Sequence, residues 1–240
     1  MIAAIQYWAE DEAQALTLAR LLADIEPSKR EDFMLVLARR GDCPISEEAG
    51  RTRDYCTEKF QTMLLRSPRE EVGYPDGCFG LWAGTLERLS TLWLDGNIPW
   101  EWGRTVFFCE ADGAPICSDW IDRMRVAHAL TRSIGLQVTG AVMEEHGAHV
   151  NGNLILDLRI KGEHPSLMEC PTRVAWDLHH ADLLVGLTRA SVIIRNEHGT
   201  RNWTADTLAP IGRASAWVAN VKDDSVLRYA RWALKTLWRT

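Results

Sequence analysis

Residues 104–120 read RTVFFCEADGAPICSDW. Val106-Phe107-Phe108-Cys109 is an apolar, strand-like run that stops abruptly at Glu110-Ala111-Asp112. Side chains of an extended segment alternate with period two, so Glu110 and Asp112 leave the strand end on the same side. Two like charges emerging together are costly unless a cation or a set of donors neutralises them. A hard divalent ion bridging to a substrate phosphate is one such partner. The plainer alternative is an acidic turn punctuated by Gly113 and Pro115.

The chain has 240 residues, room for one large α/β domain or two small ones. Its net charge of −6 argues against a broadly basic nucleic-acid-binding surface. The eleven Trp are unusual; indole faces pack cores and also suit flat or carbohydrate ligands. No run reaches the ~18 apolar residues of a membrane helix. The opening MIAAIQYWAED lacks the basic and apolar regions of a secretory signal. Six Cys contain no CxxC, and Cys78 and Cys109 read as buried thiols in a reducing, cytoplasmic setting.

Outward from the central stretch, the pattern alternates strand and helix. Met1–Trp8 predicts a buried strand, Asp11–Asp24 an amphipathic helix ended by Pro27, and Phe33–Ala38 a second strand. Strand, helix, strand is the unit of a parallel sheet. A helix over Arg51–Phe60, a strand over Gln61–Arg66, a turn at Gly73–Gly77 and a helix over Phe79–Leu94 follow. Downstream come a helix over Asp119–Ser133 and a strand over Leu136–Met143. Loop punctuation then leads into Leu154-Ile155-Leu156. A helix over Val174–Val185, a strand at Val192–Arg195 and a helix over Ser225–Trp238 complete the pattern. Neither an internal repeat nor a linker interrupts it, so one domain spans 1–240. Ligands of open α/β sheets gather at the carboxyl ends of the strands. Trp8, the turn at Gly77 and Glu110-Ala111-Asp112 all fall there. GxGxxG, GxxxxGK[ST] and GxSxG are absent, which argues against Rossmann dehydrogenases, P-loop enzymes and α/β-hydrolases.

Taken in order, these motifs resemble the GT-A fold of nucleotide-sugar-dependent glycosyltransferases, from residue 1 to about residue 225. Glu110, Asp112, Pro115 and Trp120 follow the family's apolar-apolar-x-(Asp/Glu)-x-Asp strand with its downstream Pro and Trp. Gly73, Pro75 and Gly77 match its Gly-x-Pro-x-Gly turn. His149-Val150-Asn151-Gly152 is similar to the acceptor-side His-x-Asn-Gly, and Trp176-Asp177 to a Trp-Asp pair further on. The resemblance implies a Rossmann-like, mostly parallel central sheet flanked by helices. Residues up to about 118 would bind the nucleotide, and those from about 119 the acceptor.

It also implies an inverting transferase that moves a sugar from a nucleotide-diphosphate donor, a UDP-sugar foremost, onto an acceptor hydroxyl. Mn²⁺ or Mg²⁺ would neutralise the leaving diphosphate through Asp112, with Glu110 orienting the ribose or a metal-bound water. Trp8, Gly77 and Lys222 would lie on the donor. Relatives often place a further His ligand before a Lys-Asp pair. Lys222-Asp223 has none, which leaves Asn220, His198, or the diphosphate and water to complete the metal. Asp177 is the first candidate base and His149 the second, with His179 beside it. Against these stand an exposed helical carboxylate for Asp177 and a loop His bonded to its own backbone for His149. His179 and His180, being consecutive, cannot both face one site. Arg51 and Arg53 are candidate diphosphate contacts, weighed against solvated surface charges. The acceptor stays open among a carbohydrate, a protein and, by likeness to compact phage-encoded GT-A-like proteins, a hydroxymethylated DNA base. A non-catalytic GT-A-like binding module is the alternative reading.

Overall fold

Every residue of Ile2–Tyr7 is buried, the mark of a strand covered on both faces. A computed structural model describes residues 1–99, 104–145, 147–197, 202–219 and 223–238. In chain order the strands are β1 (Ile2–Tyr7), β2 (Arg30–Arg39), β3 (Phe60–Arg66), β4 (Thr105–Glu110), β5 (Ala114–Pro115), β6 (Val138–Met143), β7 (His149–Asp157), β8 (Thr188–Ala190), β9 (Ile194–Asn196) and β10 (Trp217–Ala219). The helices are α1 (Glu12–Ile25), α2 (Glu47–Thr57), α3 (Asp76–Leu94), α4 (Trp120–Ser133), α5 (Ile160–Glu163), α6 (Trp176–His179), α7 (Ala181–Leu187), α8 (Ala205–Ile211) and α9 (Ser225–Thr236).

The main sheet has seven strands in the order β3-β2-β1-β4-β7-β6-β8. Neighbours β3, β2, β1 and β4 are parallel; β7 runs against both β4 and β6, and β8 is parallel to β6. Only β7 is therefore reversed. The chain winds one way from β1 to β2 and the other way from β1 to β4, so a crevice opens between the ends of β1 and β4. Gln6 and Glu110 face each other in register at that point.

Period-two alternation sends each strand into two cores. Ala3, Ile5, Tyr7, Phe107 and Cys109 pack with α1, α2, α4 and α9; Ile2, Ala4, Val106 and Phe108 pack with α3, α6 and α7. On the first side Phe107 meets Trp217 edge-on at 5.0 Å, and Trp120 lies 5.5 Å from Trp217. On the second, Trp82 stacks on Trp176 at 4.0 Å and 16°. By the same parity Glu110 emerges on the α3 side.

Four expectations change. α2 begins at Glu47 rather than Arg51, because Ser46 accepts the Ala49 N–H at 3.0 Å and Glu47 and Glu48 fill the positive first turn. β7 starts at His149, so His149-Val150-Asn151-Gly152 is strand rather than loop. The single helix over Val174–Val185 divides into α6 and α7 at His180, whose backbone leaves helical geometry. Beyond the end of β4 lies a second sheet, β5-β10-β9, of which the sequence pattern anticipates only β9, through the strand at Val192–Arg195. β5 and β10 are two and three residues long, too short for periodicity to register.

Gly113 makes the second sheet possible. A Cβ there would sit 2.4 Å from Trp217 Nε1 and 2.9 Å from the Val218 carbonyl, so only glycine lets β10 pass.

Candidate functional site

Two joined chambers occupy the carboxyl edge of the sheet. The first, about 440 Å³, is lined by residues that include Gln6, Trp8, Gln14, Arg40, Gly77, Glu110 and Asp112. The second, about 310 Å³, is lined by residues that include Tyr74, Glu145, His149, Asn151 and Asp177. Tyr74, Cys78, Glu110, Gly152 and Trp176 wall both. Each chamber thus draws on residues before and after position 118.

Glu110 is anchored from the reversed strand. Continuing the β4–β7 register brings Gly152 beside it, and a Cβ on Gly152 would lie 3.6 Å from Glu110 Oε1 and 3.6 Å from Trp176. The Glu110 N–H donates to Asn153 Oδ1 at 3.1 Å, and Asn153 Nδ2 donates back to Glu110 Oε2 at 3.3 Å. Asn153 is buried and is itself steadied by Asn151 Oδ1 at 3.0 Å from both its backbone and side-chain nitrogens. Asp112 follows as a half-buried carboxylate in the first chamber only.

The first chamber is rich in unused donors. Gln6 Nε2, Trp8 Nε1, Gln14 Nε2 and Trp82 Nε1 are buried with no hydrogen-bond partner. Leaving a buried donor unpaired costs about 1–3 kcal/mol, so four converging on one hollow call for an acceptor-rich ligand. Arg40 is the only Lys or Arg among the described residues lining it. Its guanidinium lies over the Trp8 ring at 5.0 Å and is gripped by Asp42 at 2.6 and 2.8 Å. That grip holds the Asp42 carboxyl down at about 2.

In the second chamber Asp177 and His149 come together. Burial raises the Asp177 carboxyl above its ordinary value, with the neighbouring His149 opposing that rise. Its Oδ1 accepts the Leu178 N–H at 3.0 Å. His149 is buried, and its Nδ1 donates to the Gly147 carbonyl at 2.9 Å. That bond is the backbone contact weighed above, yet it leaves Nε2 as the basic nitrogen of the neutral ring. His180 is buried while His179 is exposed, so the two do not face one site.

Other sequence-derived candidates lie elsewhere. Arg51 bonds Glu47 and Glu48, Arg53 bonds Asp54, and neither borders a chamber. They are surface charges, a correction to the diphosphate reading. His198, Asn220 and Lys222 fall outside the described residues. Cys109 is fully buried, whereas Cys78 is only half-buried and lines both chambers, its thiol pushed up to about 11 chiefly by burial.

Among the described residues no group of three His, Cys, Asp or Glu could hold a metal ion. The first chamber offers hard carboxylate oxygens, which fits an ion drawing its other ligands from phosphate and water rather than a protein cage. A hollow of about 800 Å³ also exists at the opposite end of the sheet. Its central cation is engaged: Arg30 binds Asp122 at 2.7 Å and Asp32 at 3.3 Å. The carboxyl-edge chambers, with their unused donors, are the better site.

Strand order, the single reversed strand and the crevice define a GT-A glycosyltransferase fold. No family model and no curated protein matches the chain. Solved structures do. The apo form of the bifunctional glycosyltransferase WbbM is similar at TM-score 0.59 and 8% identity, over 93% of this chain and 46% of that one. The apo glycosyltransferase GlyE of Streptococcus pneumoniae TIGR4 aligns at TM-score 0.58 and 12% identity, over 99% and 60%. An active-site mutant of LgtC aligns at TM-score 0.56 and 11% identity, over 97% and 95%. The chain thus spans less than half of the WbbM chain and nearly all of LgtC. Among the described residues no helix is long and apolar enough to cross a membrane.

Proposed function

We propose that the chain is a glycosyltransferase that moves a sugar from a nucleoside-diphosphate donor, a UDP-sugar foremost, to an acceptor hydroxyl with inversion. The observation that carries this reading is the pair of joined chambers at the β1/β4 switch point. One has unpaired donors suited to a nucleotide, and the other a desolvated carboxylate suited to a base.

Gln6, Gln14 and Trp8 would donate to the nucleoside and phosphate oxygens, while Arg40 adds positive charge. Gly77 keeps the α3 end low: a Cβ there would meet Arg40 at 3.1 Å. Asp112 would hold Mn²⁺ or Mg²⁺ against the diphosphate, with His198 as a further candidate ligand and Lys222 as a candidate contact to the donor. The ion would stabilise charge on the leaving group. Glu110, fixed by Asn153, shapes the seam where sugar meets acceptor. Asp177 would take the acceptor proton on Oδ2, since Oδ1 is occupied by the Leu178 N–H. His149 Nε2 is the second candidate for that role. Donor and acceptor would each touch residues on both sides of position 118, since both chambers are walled from both parts of the chain.

The test is a panel of nucleotide sugars with Mn²⁺, read by thermal shift and donor hydrolysis. The expected result is stabilisation by one UDP-sugar, slow hydrolysis, and loss of both transfer and hydrolysis in Asp112→Asn with the fold retained. Neither stabilisation nor hydrolysis with any donor would sink the reading. Calorimetry with and without metal separates the alternative. Tight nucleotide binding indifferent to Mn²⁺, without turnover, would mark a non-catalytic module.

A further inference from the structure

The second chamber carries more information than its base. Three carboxylates line it, Glu110, Glu145 and Asp177, and among its described lining residues there is no Lys or Arg. Phosphodiester chains are held by Lys and Arg, and a flipped base brings its flanking phosphates with it. A chamber so lined repels such an acceptor.

What it offers instead is a flat apolar wall beside hydroxyl acceptors. Tyr74 is 78% exposed yet borders both chambers, and Leu178 presents further apolar surface. Gly73, at φ 75°, turns the chain so that Tyr74 stands at the seam. Carboxylates and an amide, Glu145, Asp177 and Asn151, complete the lining. The volume of about 310 Å³ is at the small end of ligand pockets, enough for one compact ring system.

Resting on the transferase reading, we infer that the acceptor is an uncharged saccharide whose ring lies against Tyr74 while Glu145 and Asp177 receive its hydroxyl protons. An aromatic face takes the C–H side of a pyranose, and carboxylates take the O–H edge. A cationic peptide would satisfy the charge of the chamber but not its apolar wall.

Two measurements on the full chain test this. Saturation-transfer NMR without donor asks whether neutral mono- and disaccharides bind. Turnover of UDP-sugars asks which acceptor stimulates it: a neutral saccharide, a hydroxymethylated DNA duplex, or a Lys/Arg-rich peptide. The expected outcome is saccharide binding and saccharide-stimulated turnover. Tyr74→Ala should weaken saccharide affinity roughly three- to tenfold, and Tyr74→Phe should restore it. No saccharide binding, stimulation by DNA or peptide alone, or an unchanged affinity in Tyr74→Ala would overturn the inference. Donor hydrolysis with no saccharide binding defeats it and spares the transferase reading. Saccharide binding with no donor turnover does the reverse.

Discussion

Asp177 shows how far one residue can be read before its surroundings are known. A Trp-Asp pair in a helical stretch fits an exposed carboxylate as well as a base. Its neighbours set its place and leave the base role a proposal: α6 begins at Trp176, which is buried against Trp82, and Asp177 lines the second chamber. Its raised carboxyl means that the folded protein binds that proton more tightly than the unfolded chain. Ionisation there therefore lowers stability as pH rises from the ordinary carboxylate range through the folded value. Asp177→Asn should leave thermal stability at pH 7 equal or higher while kcat falls about 10²–10⁴-fold. The acid limb of kcat/KM, present because the base must be deprotonated, should vanish with it. A marked loss of stability would recast Asp177 as structural. Glu110 was legible from strand parity; Asp112 reaches the first chamber from the turn after β4, where parity no longer applies. Gln6, Gln14, Arg40 and Asn153 were not legible, because each is an ordinary polar residue until the sheet brings it to the crevice. Gln6 did leave a trace: it is the one polar residue in an otherwise apolar β1.

At the scale of elements, the parallel half was readable because its strands are long and buried and its helices amphipathic. The reversed half was less so. β7 begins with alternating polar residues that read as a loop, and β5 and β10 of the second sheet are too brief to carry a pattern, whereas β9 was read from Val192–Arg195. The contact that holds the second sheet in place is nonetheless sharp. Gly113→Ala should drive a methyl into Trp217 and the Val218 carbonyl, parting β10 from β5 and costing about 1–3 kcal/mol. Urea denaturation checks it; an unchanged midpoint would mean that β10 can shift without loss. Since β5 follows Asp112 by two residues, donor affinity should fall alongside stability.

Over the whole molecule, charge is divided between two ends. The carboxyl edge keeps unpaired donors, whereas the amino edge closes its charges on itself. Glu26 is buried there, 3.9 Å from Arg30, and faces Asp32, Asp122 and Lys59. Burial above all pushes its carboxyl up from 4.5 to about 7. The raised value gives the sign: the contribution to stability is full below pH 4.5 and is lost as pH rises through about 7. Glu26→Gln should therefore raise the melting temperature relative to the parent chain at pH 8, with little difference at pH 5. The same difference at both pH values would show that Glu26 does not titrate in this window.

The reversed strand has a consequence for engineering. Because β7 runs against its neighbours, its first residues reach the same edge as the last residues of β1 and β4, and the connection from Met143 to His149 is a hairpin tip. Tips tolerate insertion and exchange, while the paired body of the hairpin keeps Asn153 under Glu110. On the proposed reading this exchangeable tip would bring Glu145 to the acceptor, while Tyr74 and Asp177 reach it from elsewhere in the fold. If the proposed transferase reading holds, exchanging this tip should alter acceptor affinity through the Glu145 side of the second chamber while leaving nucleotide binding in the first unchanged.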